Sequence, residues 1–218
     1  MENIIELTNR YMLESNITKL PVDYHTLCSL LEAKGFSVMS YNQGRKIIKT
    51  LSLERYAKKH PAFTVIADDI KITMYRDEIS LGEKLFCLAH ELGHIILFHT
   101  PLGVMGKQYE NDEHISLQEQ EADNFAYTLL APIPILSCFC KTISDISRAT
   151  LLNDYRSAVV MSRIQNYNYS SSDFLLSEKF KEYISCARVN RSIQLPLPSL
   201  NYSYSGWQTP WGSFERSF

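Results

Sequence analysis

The pentapeptide His90-Glu91-Leu92-Gly93-His94 constrains this chain more than any other feature. On a helix, residues four apart stand about one turn apart, so both imidazoles can face a single ion. Neutral nitrogen ligands in a tetrahedral shell suit zinc. Glu91 is turned by about 100° from the first histidine, so it can reach a water beside the ion without ligating the ion itself. It is the candidate general base. The helix is expected on independent grounds. Ser80 and Glu83 are spaced as a capping box, and Leu85, Leu88, Leu92 and Ile96 recur at three- and four-residue steps. That pattern predicts a helix from Ser80 to His99 with one buried face, ended by Thr100-Pro101. The competing reading is a helix whose histidines merely cover a core edge. Two His and a Glu crowded on an apolar face are costly to bury unless coordinated.

Two imidazoles leave a third ligand to be found. Glu119-Gln120-Glu121-Ala122-Asp123 opens a second predicted helix, Leu117 to Leu130, with Pro132 beyond its end. Glu119 and Asp123 are four apart and share a face with Ala122 and Ala126. Glu119 is therefore the expected third ligand of a His2Glu zinc site, and Asp123 is expected to support one imidazole from behind. Glu121 points elsewhere on this spacing and stands as the alternative ligand. A solvated acidic first turn, favoured by the helix dipole, is the plainer reading of the same cluster. His99 lies one step off the ligand face, where a satisfied helix-end histidine is expected. Tyr109 or His114, between the two helices, could stabilise a tetrahedral oxyanion. His25 and His60 have no evident partner.

Elsewhere the patterns are coarser. Asp23 to Lys34 predicts a helix with Asp23 as N-cap and Gly35 past its end. Phe36 to Tyr41 reads as a strand, and Leu51 to Lys59 as a helix stopped by Pro61. Phe63 to Tyr75 reads as a hairpin turning at Asp68-Asp69, with Ile70, Ile72 and Met74 on one face of its second strand. Helical patterns follow over Ile143 to Asn166 and Ser177 to Arg188. The stretch from Leu195 to Phe218, with three Pro and both Trp, has no sustained period and reads as an irregular tail.

Composition excludes more than it proposes. A net charge of -2 over 218 residues supplies no general attraction to nucleic acid or anionic membrane. Arg148, Arg156 and Arg163 in one helical pattern read as a solvated face, so direct nucleic-acid binding is not expected. The start of the chain lacks the basic flank and apolar stretch of a signal peptide, and the apolar run Ile95 to Phe98 is too short to span a bilayer. The five cysteines form no CxxC pair. Reduced thiols and a cytoplasmic location are expected, with Cys138 and Cys140 as buried thiols.

Three segments resemble the ImmA/IrrE-type metallopeptidase family. They are Ile79 to Lys84 running into His90 to Leu97, the Glu119 to Ala126 stretch, and Leu129-Leu130-Ala131-Pro132; the Phe63 to Ile66 strand and its hairpin partner are similar too. The resemblance covers roughly residues 20 to 165. It implies an α+β, zincin-like metallopeptidase core, with a small antiparallel or mixed sheet packed on the motif helix and C-terminal helices following. It also implies Glu119 as third ligand and Asp123 as its helix-mate, where Asn is common in the family. The expected division is a core over 1–135, a helical region over 136–193 and a tail over 194–218. Family members of this kind act on a helix-turn-helix repressor or antitoxin and relieve repression by cleaving it. A zinc-stabilised protein that binds such a partner without cutting is the alternative, and the aromatic tail could then supply its interface.

Overall fold

A computed structural model of the chain describes residues 3–67, 69–99 and 112–192, with backbone alone for 112–116 and 191–192. It is a helix-rich α+β fold around one small sheet, as the resemblance implies. The helices are α1 (Ile4–Glu14), α2 (Tyr24–Ala33), α3 (Arg45–Thr50), α4 (Glu54–Lys59), α5 (Leu81–Ile96), α6 (Asp112–Leu130), α7 (Ile133–Leu136), α8 (Ile143–Thr150), α9 (Asp154–Gln165), α10 (Ser171–Lys179) and α11 (Lys181–Ser192). The strands are β1 (Ser37–Ser40), β2 (Ala62–Ala67) and β3 (Ile70–Tyr75), in the order β1-β3-β2. β2 and β3 form the expected antiparallel hairpin, and β1 joins the far edge of β3 in parallel, Val38 opposite Thr73.

The central place of β3 corrects its expected one-sided burial. Ile72 and Met74 lie in a small cluster with Ile48, Phe63 and Val65, whereas Tyr75 lies in the main core, so both faces are covered near its end. Ile70, expected on the buried face, is exposed beside the turn. The main core runs from Met12 through Leu85, Leu88 and Leu92 of α5 to Phe125 and Leu129 of α6, and on to Phe180 and Ala187.

α1, amphipathic and N-capped by Asn3 though not among the expected helices, packs against α6 and α10. Its last turn holds no basic residue, and Lys179 supplies the missing cation, its Nζ donating to the carbonyls of Met12, Leu13 and Ser15. The single helical pattern over 143–166 is two helices, because Leu151 turns left-handed (φ 62°) and Asn153 caps α9. The pattern over 177–188 likewise divides between α10 and α11.

α5 begins as expected, Ser80 Oγ accepting from the Glu83 amide at 3.2 Å. Glu83 does not complete the box. Its carboxylate instead takes a bidentate bond from Arg156 of α9 at 2.7 and 3.1 Å, and that guanidinium lies 3.8 Å over the Phe86 ring. A tertiary ion pair has outbid a local cap. Beside it, a Cβ on Gly82 would stand 1.9 Å from the Leu151 carbonyl oxygen. Backbone cannot swing away as a side chain can, so Gly82→Ala is expected to destabilise by about 3 kcal/mol. A drop in the urea midpoint at unchanged slope would register it.

Candidate metal centre

The centre is set by how closely α5 and α6 cross. Gly93 faces α6 with no side chain; a Cβ there would meet Phe125 Cβ at 3.1 Å and Ala122 at 3.2 Å. The two histidines flank that glycine at one step and three steps along α5. Glu119 and Asp123 flank Ala122 on α6. The contact of Gly93 with Ala122 thus brings the four polar side chains to one place, while Leu92, Phe125 and Ala126 bury the seam below them.

There His90 Nε2 and His94 Nε2 lie 3.0 Å apart. Glu119 presents Oε2 at 3.3 Å from His90 Nε2 and Oε1 at 3.8 Å from His94 Nε2. Among the described residues, His90, His94 and Glu119 are the group whose ligand atoms converge as a metal site requires, all within 4.8 Å of one another. Behind His90, Nδ1 donates to Asp123 Oδ1 at 2.8 Å. Burial alone would lower the His90 pKa. The bonds to Asp123 and Glu119 and the charge of Glu91 outweigh it and push the imidazole up to about 10. Two imidazole nitrogens and a carboxylate brought to one point are a donor set that could hold a metal ion.

Glu91 is 8% exposed and lines a cavity of about 640 Å³ together with His90, His94 and Glu119. The opposite wall comes from α1 (Leu7, Arg10, Tyr11), from Thr64 and Ile66 of β2, and from α4. α4 and its C-cap contribute Tyr56, not singled out in the sequence, and His60, which had no evident partner; their rings stack at 4.0 Å. Burial first, then the carboxylates of Glu91 and Glu119, hold the Tyr56 phenol well above its usual range, so it stays a hydrogen-bond donor. The i, i+4 spacing of Tyr56 and His60 on a short helix was the signal available for this pair.

His99 differs from the expected helix-end histidine. It is buried, its Nδ1 meets His94 Nδ1 at 3.0 Å, and its Nε2 donates to Glu121 Oε2 at 3.0 Å. Burial keeps its pKa below the ordinary value despite the Glu121 charge. Glu121 therefore turns away from the converging group, as its spacing predicts. Tyr109 lies outside the described residues, as does the side chain of His114. Cys140 is buried and Cys138 partly so, its thiol donating to the Pro134 carbonyl at 3.2 Å.

A His/His/Glu group on two helices packed together beside a small mixed sheet is a group that could hold a metal ion. The family profile of the IrrE N-terminal-like domain, peptidase M78, matches residues 46–156, about half of the chain. The chain belongs to that family, and a peptidase family implies a protein substrate. No curated protein and no solved structure matches it. No described helix is long and apolar enough to cross a membrane.

Proposed function

We propose that the protein is a zinc-dependent endopeptidase in which His90, His94 and Glu119 hold the ion and Glu91 is the general base. The observation that carries this reading is the convergence of two imidazole nitrogens and one carboxylate on a point in the wall of an open cavity. The donor set fits zinc, which takes nitrogen and oxygen ligands and keeps an open position in catalytic sites. When bound there, zinc supplies a Lewis acid that polarises a carbonyl and acidifies water.

The chain's own residues do the rest. Asp123 fixes the His90 ring with its proton on Nδ1 and its Nε2 lone pair towards the centre. Glu91, held in the buried wall, takes a proton from the attacking water and returns it to the departing amine. A peptide lying in the cavity would run between α5 and β2, with the Tyr56 hydroxyl available to it as a donor. A site that only stabilised structure would need no carboxylate at the position of Glu91.

We further propose that the substrate is a helix-turn-helix repressor or antitoxin, cut so that transcription resumes in the cytoplasm. This follows from the family resemblance. Incubating the zinc-loaded protein with regulators encoded beside its gene should give discrete fragments that vanish with chelator. Stoichiometric zinc and tight binding of a regulator that stays uncut would favour the non-cleaving alternative.

Zinc uptake should depend on pH with a known sign. The ion must displace the proton on Nε2, facing Glu119, of an imidazole whose pKa is pushed up to about 10, while Asp123 keeps the proton on Nδ1. Calorimetry near pH 7.5 in buffers of different ionisation enthalpy should therefore report about one proton released per zinc bound. The metal-free fold should behave conversely. His90 is raised above its unfolded value, so its contribution to stability is full below about pH 6.5 and is lost as the pH climbs towards 10.

A further inference from the structure

The two imidazoles of the centre are held differently. His90 bonds directly to a carboxylate, Asp123. His94 meets a second imidazole, which in turn bonds to Glu121. We propose that His99 and Glu121 are positioning residues for His94, forming a relay that fixes its tautomer and orientation; the proposal rests on the zinc-centre reading above.

The hydrogen positions follow from that reading by elimination. With the His94 Nε2 lone pair turned to the ion, Nδ1 carries the proton and donates to His99 Nδ1, 3.0 Å away. His99 must then carry its own proton on Nε2, where Glu121 Oε2 accepts it at 3.0 Å. Every ring nitrogen has one role and one partner, and the chain ends on a fixed negative charge. Glu121 suits this task because it lies two residues from Glu119 on α6 and so faces a different side of that helix.

The backbone is shaped to deliver His99. α5 ends in a Schellman motif, the Phe98 amide donating to Ile95 O at 3.3 Å and the His99 amide to His94 O at 2.9 Å. The left-handed residue of that motif is Phe98 (φ 55°), where glycine is the usual choice. The turn carries His99 back beneath the helix end, so the residue whose carbonyl anchors the turn is the one whose ring His99 supports. A histidine that merely filled the helix end would need neither the ring-to-ring contact nor the carboxylate behind it.

The test is zinc affinity, by competition with a chromophoric chelator, in the full chain and in His99→Ala, His99→Gln and Glu121→Ala. His99→Ala should weaken zinc binding by about 10- to 100-fold and Glu121→Ala by roughly tenfold. His99→Gln keeps an oxygen that can accept from Nδ1–H and should recover part of the loss. The visible spectrum of the cobalt-substituted protein should shift in both alanine variants, a change that loss of packing alone would not cause. Because His99 is buried and its alanine variant could fail to fold, Glu121→Ala decides in that event. Zinc affinity and cobalt spectrum both unchanged in Glu121→Ala would overturn the proposal and leave the zinc-centre reading standing. An affinity loss with an unchanged spectrum, matched by an equal loss of metal-free stability, would also overturn it. A wild-type chain that takes up no zinc would overturn the reading and the relay together.

Discussion

Glu91→Gln is expected to lower the cleavage rate by about a thousandfold while zinc stays bound at one ion per chain. The amide keeps the shape of the carboxylate but cannot accept a proton at neutral pH, so a general-base contribution of roughly 10²–10⁴ is lost. Glu91 is not one of the three residues whose ligand atoms converge, so its replacement leaves those atoms in place. It is almost fully buried in the cavity wall, and the isosteric change leaves packing intact. Rate by fragment appearance and metal by elemental analysis, on the same preparation, separate the two effects. Loss of zinc along with rate would mean that Glu91 serves the ion and would remove it from the base role. An unchanged rate would point to a protein that acts by binding.

Glu119→Ala should have the converse signature, in which the ion itself goes. Removing it leaves two imidazoles and no carboxylate at the point they share, and zinc affinity should fall by about three orders of magnitude or more, in keeping with the large free energy that complete ligand sets supply. Glu121→Ala is the informative control. It lies on the same helix turn and carries the same charge, yet its carboxylate serves His99 rather than the converging group. It should retain one zinc per chain at saturating metal. Equal losses in the two variants would mean that local negative charge, rather than ligation, governs uptake.

The parts of this arrangement that are periodic were legible beforehand. α5, α6 and the β2–β3 hairpin all show apolar spacing in the sequence, and Asp23 and Ser80 cap the helices they were expected to cap. Asp123 was expected to reach one of the two imidazoles from its place four residues after Glu119; that the partner is His90 comes from the fold. What escaped was set by tertiary contact. Glu83 forms half a capping box in sequence, but only the fold brings Arg156 within reach of it. α1 is amphipathic and N-capped by Asn3, a signal that was present in the sequence, and it takes its place from α6, α10 and the Lys179 ammonium. His99 looked like an ordinary helix-end residue because nothing local announces that Phe98 will adopt a left-handed turn. Tyr56 and His60 enter the cavity from α4 and its C-cap, an expected helix whose facing wall only the fold supplies.

The bare face of Gly93 against Ala122 has a consequence for how the molecule fails. All the converging side chains hang from two extensively packed helices that approach most intimately where Gly93 meets Ala122 and Phe125. A bound ion spanning both helices would act as a rivet, and its hold would vary directly with the gap. Heating that loosened the crossing would therefore release metal and expose Phe125 in a single event rather than in sequence. Withdrawing the metal would likewise slacken a seam that also encloses much of the apolar interior, so the chemistry and the durability of this fold share one dimension.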